Sequence, residues 1–340
     1  MTATVWFNKN ISSIYNVVEI IRAAQQPGEF RILCSHTQPD APALKIANAA
    51  EVEPRAIGER AYLEYCLEIA KRHRVDVFVP GKMIREIVQA RGRFEAIGTK
   101  ILAAADAQTL KMLENKWVTN QRIPGEVAKL PETRLVNTLE EFDSAFGELR
   151  IRYPVICFKP AQSVFGLGFR ILTENGGQLK RLLAGDPLKI ELQEARRLFA
   201  EEARFRDLLV MQFLTGTERS VDCLGQNGEL VQCVIRRKPD YSEAAQVIED
   251  NAEVKEAVRR LTAHFGLTGM FNIQFRDYDG HPHFLEINPR MSGGIGMACL
   301  SGVAIPYWGL RLALGTATPG DVPSPQVGIR VKDVPRAVVL

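Results

Sequence analysis

Apolar runs and helical periodicity alternate along the first third of the chain. The apolar runs Val5-Trp6-Phe7 and Phe30 to Cys34 predict two short strands. Residues 14–24 between them carry apolar side chains at helical spacing. A longer helix is predicted from about Arg60 to Arg74, and a third strand from Val75 to Val79, before Pro-Gly. Strands separated by helices are typical of a parallel sheet.

This layout is Rossmann-like over residues 1–109, the first predicted domain. The first strand is not followed by a G-x-G-x-x-G loop, however. That loop lets the backbone approach a dinucleotide pyrophosphate, so its absence argues against a nicotinamide or flavin dinucleotide site here.

The pattern changes after Leu110, where apolar strands are joined by hairpins. Asn227-Gly228, between two such strands, is a strong hairpin signal. A charged helical stretch at residues 188–206 separates two groups of strands. We therefore predict two α+β lobes, at residues 110–206 and 207–340, after the α/β domain. The strands predicted for these lobes are 155–159, 169–172, 209–214, 220–224 and 231–237.

Composition and charge exclude several classes of protein. The 340 residues are 46% hydrophobic and 24% charged, which is ordinary for a soluble globular chain. The net charge is only +3 and the densest basic run is Arg236-Arg237-Lys238, so a nucleic-acid partner is not expected. No apolar run approaches the length of a membrane span. The six cysteines are scattered and fit reduced core positions, so we expect a cytoplasmic protein without a membrane partner.

Residues 269–291 hold the most informative pattern. If a hairpin turn centres on Gly280, Gln274 lies opposite Glu286 and Asn272 lies opposite Asn288. One face of this hairpin is apolar, while the other carries one carboxylate and three amides. An all-oxygen cluster with a single carboxylate suits Mg²⁺, which keeps waters and takes further ligands from phosphate. The absence of Cys and His from this face argues against zinc.

The segments N-I-Q-F and F-L-E-I-N-P-R-M-S-G-G resemble the C-terminal hairpin of the ATP-grasp superfamily. They are most similar to the branch of the carbamoyl-phosphate synthetase large subunit and the carboxylate–amine ligases, and the whole chain resembles the ATP-grasp proteins encoded with tellurite-resistance operons. The resemblance implies Gln274, Glu286 and Asn288 as ligands of Mg²⁺ or Mn²⁺. It also implies that Arg290 contacts the transferring phosphoryl group.

Other segments follow in the order that this family requires, and imply a nucleotide site between two lobes. Lys116 would be the first basic nucleotide contact, although Asn115 stands where the family often has Asp. Lys159 would reach the α- and β-phosphates, and the loop 161–169 with Gly166 and Gly168 would close over them as a lid. The remaining expected contacts are Gln212, Phe213 and Leu214 at the adenine, with Gln where the family commonly has Glu, and Glu218 at the ribose. Among the basic residues that end the next strand, we expect Arg236 to point inward as a catalytic residue.

The resemblance implies an ATP- and Mg²⁺-dependent ligase that activates a carboxylate as an acyl phosphate for attack by an amine. Two alternatives stay open: a kinase or phosphotransferase on the same scaffold, and a nucleotide-binding regulatory protein that does not turn over. The expected partners are a small carboxylate and an amine, and a homodimer is the candidate assembly. The identity of the substrates is not encoded in any spacing that we can translate.

Overall fold

A parallel sheet forms the N-terminal part of the protein, as predicted, but it has five strands where the sequence predicted three. A computed structural model describes residues 2–9, 14–163, 166–174, 183, 187–239 and 245–334. The sheet has the strand order β3-β2-β1-β4-β5, and every neighbouring pair is parallel. Its strands are β1 (Ala3–Phe7), β2 (Phe30–His36), β3 (Ala49–Val52), β4 (Val77–Val79) and β5 (Lys100–Ile101).

The helices of this part follow the apolar periodicity of the sequence. Ile14, Val17, Val18 and Ile21 are all buried on one face of the first helix, which spans the predicted residues. The long helix ends where Arg74 adopts a left-handed conformation with φ of 52°. The helices are α1 (Ile14–Ala24), α2 (Pro42–Ile46), α3 (Glu59–His73), α4 (Ile84–Gln89), α5 (Arg91–Glu95) and α6 (Ala107–Leu113).

A second sheet, mainly antiparallel, has the order β6-β10-β7-β8-β9. Its strands are β6 (Thr133–Val136), β7 (Ile156–Pro160), β8 (Arg170–Thr173), β9 (Lys189–Glu191) and β10 (Leu208–Gln212). The accompanying helices are α7 (Lys116–Asn120), α8 (Leu139–Arg152) and α9 (Leu192–Phe199). The helix predicted over residues 188–206 is therefore wrong in extent, because its first residues pair with β8 as a strand. Phe142, Phe158 and Phe199 make edge-to-face contacts in the core beneath this sheet.

A third sheet has the order β15-β14-β11-β12-β13-β16. Its strands are β11 (Glu218–Gln226), β12 (Glu229–Arg237), β13 (Gln246–Glu249), β14 (Gly269–Tyr278), β15 (His281–Asn288) and β16 (Arg330–Val331). The predicted hairpin at Asn227-Gly228 is confirmed, since both residues have positive φ and join β11 to β12. The helices that follow are α10 (Ala252–His264), α11 (Ile295–Cys299) and α12 (Ile305–Leu314).

The chain divides into two compact units. The first unit comprises Met1–Lys111, Thr217–Phe275 and Glu286–Leu340, and the second comprises Met112–Gly216 and Arg276–Leu285. Within the first unit one apolar core includes residues of β1 and α1 together with residues of α11 and α12. The predicted three-domain division stays a prediction. In the part of the chain that the structure describes, no helix is long and apolar enough to cross a membrane.

Candidate active site

The hairpin of β14 and β15 has the predicted apolar face but a different turn. Asp279 and Gly280 have φ of 49° and 77°, and the strands end at Tyr278 and His281. Asp279 and Gly280 are therefore the two residues of the turn. The centre of the turn lies between them and not at Gly280, so the predicted centre is wrong.

The burial pattern of β15 is irregular. Phe284 and Ile287 are both buried, whereas Leu285 and Glu286 between them are both partly exposed. Strict alternation would bury every second residue, so β15 departs from it at this point. Glu286 and Asn288 are two positions apart in the strand, and both are partly exposed.

The side chains at the end of β15 form a short chain of hydrogen bonds. Asn288 Nδ2 donates to Glu286 Oε1 at 2.9 Å, and Arg290 donates to Asn288 Oδ1 at 3.2 Å. Burial lowers the pKa of the Arg290 guanidinium, and the negative charges of Glu286 and Asp222 partly oppose that effect. The structure thus brings Glu286, Asn288 and Arg290 together in the first unit.

This donor set fits Mg²⁺ or Mn²⁺. Glu286, Asn288 and Gln274 are partly exposed, lie on the neighbouring strands β14 and β15, and offer one carboxylate and two amide oxygens. Such a set is incomplete for a cage built only from protein, but suits an ion that also takes phosphate oxygens and waters. Among the described residues, no group of three or more His, Cys, Asp or Glu could hold a metal ion.

Arg236 points inward, as expected, but it is buried in an ion pair. Ser220 lies directly opposite Arg236 in the β11–β12 pair, which places Asp222 diagonally on the same face. Arg236 Nε donates to Asp222 Oδ2 at 2.9 Å, and Nη2 donates to the Oγ atoms of Ser220 and Ser292. A Cβ added to Gly294 would stand 2.6 Å from the guanidinium, so glycine is required there. This geometry favours a structural task for Arg236 over contact with a substrate.

Glu218, the predicted ribose ligand, begins β11 and forms an ion pair with Lys238, the residue that follows β12. The backbone N–H of Lys238 also donates to the Glu218 carbonyl at 2.8 Å. Glu218 is partly exposed, so its carboxylate can still accept hydrogen bonds from hydroxyl groups.

In the second unit, main-chain carbonyls hold the two predicted phosphate-binding lysines. Lys116 is the first residue of α7, which Asn115 caps by accepting from the N–H groups of Trp117 and Val118. Its Nζ donates to the Ser163 carbonyl at 2.8 Å. Lys159 lies near the end of β7, and its Nζ is 3.5 Å from the Leu285 carbonyl.

The predicted lid loop is only partly described, because Val164 and Phe165 lie outside the described residues. Gly166 and Gly168 have φ of 67° and 81°. A Cβ on Gly168 would stand 2.7 Å from the ring of Pro160, so this position requires glycine for both conformation and space.

The predicted adenine-contacting segment has two buried side chains and one stacked side chain. Gln212 is 3% exposed, and its Oε1 accepts from the backbone N–H of Glu132 at 3.0 Å. That bond joins β10 to the residue before β6. The guanidinium of Arg276 lies 5.0 Å from the ring of Phe213, and its Nε donates to the Gly216 carbonyl. Leu214 is buried.

Comparison with known proteins relates part of the chain to a known family. Residues 204–337 match the family model described as ATP-grasp in the biosynthetic pathway with Ter operon. The fold matches N5-carboxyaminoimidazole synthetase from Staphylococcus aureus with a TM-score of 0.67 and 14% identity, over 96% of this chain and 80% of that one. Over residues 204–337 the chain is thus similar to an ATP-grasp family.

Two further proteins are similar to this chain. The carbamoyl phosphate synthase arginine-specific large chain of Bacillus subtilis is 22% identical over 82% of this chain. This chain spans only 26% of the length of that relative. The L-amino acid ligase from Bacillus licheniformis has a TM-score of 0.62 and 15% identity, over 95% of this chain and 77% of that one.

Sequence reasoning did not identify Asp222 and Arg276 as contacts of the predicted site residues, and it misplaced Asn272. Asp222 and Asn272 are buried polar residues that contact Arg236 and Gln274, and Arg276 stacks on Phe213. A charged residue inside the apolar run of β11 is the signal that could have identified Asp222, because a buried carboxylate requires a partner. Asn272 was placed on the polar face of the hairpin, but it is fully buried.

Proposed function

We propose that this protein is an ATP- and Mg²⁺-dependent ligase that activates a carboxylate as an acyl phosphate, which an amine then attacks. The proposal depends chiefly on one observation: an oxygen-donor face formed by Gln274, Glu286 and Asn288, with Arg290 hydrogen-bonded to its edge. The L-amino acid ligase among the structural neighbours supports a ligase, and the S. aureus synthetase was solved in complex with ADP.

Phosphoryl transfer requires positioning and charge neutralisation more than covalent chemistry from the protein. When bound at Gln274, Glu286 and Asn288, Mg²⁺ would neutralise charge on the phosphate oxygens. Arg290 would bind the transferring phosphoryl group. In the second unit, Lys116 and Lys159 would bind the remaining phosphate oxygens through their ammonium groups.

The other predicted contacts would orient the nucleotide. The backbone of Phe213 and Leu214 would contact the adenine edge, and Glu218 would accept from the ribose hydroxyls. Gly166 and Gly168 would direct backbone N–H groups at the phosphates. The Gln212 carbonyl oxygen already accepts from Glu132, so a contact from Gln212 to adenine would have to come from its remaining polar groups.

A covalent enzyme intermediate on cysteine is not part of the proposal. All six cysteines are buried or half-buried. Burial raises the pKa of the Cys157 thiol to about 12, which suppresses the nucleophilic thiolate. Direct attack of the substrate carboxylate on the γ-phosphorus needs no protein nucleophile, which agrees with the ligase proposal.

Hydroxylamine trapping tests this proposal. The protein is incubated with ATP, Mg²⁺ and a panel of amino acids and small acids, with ADP release and hydroxamate both measured and Glu286→Ala as the blank. We expect one carboxylate to give a hydroxamate together with ADP. ADP release with a phosphorylated product and no hydroxamate would favour the phosphotransferase. Binding of ATP without ADP release across the whole panel would favour the regulatory protein.

A further inference from the structure

We propose that Asn272 is a positioning residue that orients the side-chain amide of Gln274, so that the oxygen of Gln274 and not its nitrogen is presented to the divalent metal. This inference depends on the proposed function, because it assumes that Gln274 is a metal ligand. It assigns Asp222 and Arg236 the task of holding Asn272 in place.

The first step is the burial of the ion pair behind Asn272. Asp222 and Arg236 are 1% and 2% exposed, and Oδ2 of Asp222 accepts from the guanidinium at 2.9 Å. The other oxygen, Oδ1, accepts from Asn272 Nδ2 at 3.2 Å. Burying two charges is costly unless their remaining hydrogen-bonding groups are satisfied. Both oxygens of Asp222 have partners, so this pair is a fixed feature of the core.

The second step is the orientation of the Asn272 amide. Asn272 is 0% exposed, and its Nδ2 lies 3.0 Å from the Val221 carbonyl oxygen and 3.0 Å from Ser220 Oγ. A carbonyl oxygen and a carboxylate can only accept hydrogen bonds. The end of the amide that faces Val221 and Asp222 must therefore be the NH₂ group, because the opposite assignment would place the amide oxygen against two groups that can only accept.

The third step is that the orientation of Asn272 determines the orientation of Gln274. With its NH₂ group fixed, Asn272 presents Oδ1 to Gln274, whose Nε2 lies 3.5 Å away. An oxygen can only be matched there by the NH₂ end of the glutamine. Gln274 Oε1 is then the atom left for a ligand, and an amide can coordinate Mg²⁺ only through its oxygen.

This assignment changes the task of Arg236. Sequence reasoning expected a catalytic residue, but Nε and Nη2 of Arg236 donate to Asp222, Ser220 and Ser292, and Nη1 donates to Gln246. Arg236 therefore acts through other side chains. Its contact with Ser292, which also accepts from the Gly294 N–H, stabilises the turn that follows Arg290.

The test compares ADP affinity, measured by calorimetry, in Mn²⁺ and in EDTA for wild type and Asn272→Leu. Leucine has nearly the same shape but cannot orient Gln274. We expect Asn272→Leu to lose about tenfold of the Mn²⁺-dependent gain in ADP affinity, as is usual when a residue that orients a metal ligand is removed. ADP affinity in EDTA should be unchanged, a difference that general loss of structure would not produce.

Asn8→Leu is the matched control. Asn8 is also a buried asparagine of the first unit, with an Nδ2 that donates to Tyr62 and to the Lys82 carbonyl. The Asn8→Leu variant should be destabilised in a similar way, yet it should keep the whole Mn²⁺-dependent gain in ADP affinity. If Asn272→Leu does not fold, Asn272→Ser replaces it, because the hydroxyl is one atom shorter and cannot reach Gln274. The same loss is expected.

Gln274→Glu provides a sharper test, since both side-chain ends are then oxygens and orientation no longer matters. In that background Asn272→Leu should change the Mn²⁺-dependent gain by no more than about twofold, the usual limit for independent sites. An equal loss in both backgrounds would overturn the proposal. Failure of the proposed function is distinguishable: Glu286→Gln would then keep the full gain. If Glu286→Gln abolishes the gain while Asn272→Leu matches wild type, only the role of Asn272 is refuted.

Discussion

The proposed metal-binding face of the first unit and the proposed phosphate-binding lysines of the second unit are supported in different ways. Gln274 donates to the buried Asn272, and Asn272 donates to Asp222, which also accepts from Arg236. Lys116 and Lys159 instead donate to the main-chain carbonyls of Ser163 and Leu285. An amide can bind a metal through only one of its two ends, whereas an ammonium donates in several directions. We infer that a side chain that must be oriented to bind its ligand is fixed by buried side chains. A side chain that supplies only positive charge is held by main-chain carbonyls.

The largest expected effect is at Glu286. Glu286→Ala removes the only carboxylate of the metal face, and we expect turnover to fall by about a thousandfold or more, since a bound metal contributes several kcal/mol to the transition state. The fold should stay intact, because Glu286 is partly exposed. ADP release and circular dichroism measure the two outcomes. Glu229→Ala, at an exposed residue of β12, should retain wild-type turnover. Activity of Glu286→Ala at saturating Mg²⁺ would refute the metal assignment.

Lys159 tests the second half of the comparison. Lys159→Met should reduce kcat/KM for ATP on the order of 100-fold, as removal of one charge-stabilising donor does. Lys159→Arg should recover most of that loss if charge alone matters. Steady-state kinetics give both values, with Lys189→Met on exposed β9 as the control. If Lys159→Arg is as defective as Lys159→Met, the lysine needs a defined orientation and the comparison fails.

A moderate effect is expected at the glycine loop. Gly168→Ala places a Cβ 2.7 Å from Pro160 at φ of 81°. The strain should destabilise the observed loop conformation by about 1–3 kcal/mol, and this should raise the KM for ATP. Gly147→Ala in α8 is the control, because nothing lies within 4 Å of its Cβ and alanine favours a helix. That variant should be stabilised, as thermal unfolding will report. An unchanged KM for ATP in Gly168→Ala would show that this loop does not contribute to nucleotide binding.

The smallest effect on activity is expected at Gln212. Gln212→Leu leaves the Glu132 N–H without its acceptor, which should lower the free energy of unfolding by about 1–3 kcal/mol. Turnover at saturating ATP should stay near wild type. Denaturant unfolding and ATP kinetics measure the two effects. A large rise in the KM for ATP without loss of stability would instead support the adenine contact predicted from the sequence.

The sequence predictions were right where the structure follows a local pattern. They were incomplete where the structure depends on contacts between distant segments. The helix at residues 14–24 was predicted with its observed ends because its periodicity is local. The polar face of the β14–β15 hairpin was predicted by alternation, but the two-residue turn and the irregularity at Leu285–Glu286 were not.

The missed parts of the site involve pairing between segments far apart in sequence. Arg236 was expected to point inward, but its partner Asp222 depends on the register of β11 and β12, which places Ser220 opposite Arg236. The stacking of Arg276 on Phe213 joins residues 63 positions apart, by their numbers, and no short pattern encodes it. The roles of the predicted site residues stay predictions until the variants above are measured.

The most direct test of the metal assignment is the position of the ion itself. Crystals grown with ADP and Mn²⁺ can be measured for anomalous scattering. The account predicts a peak at about 2.0–2.3 Å from oxygens of Glu286 and Asn288, with the Gln274 oxygen oriented towards it. A peak bound elsewhere, with these three side chains turned away from it, would contradict the account.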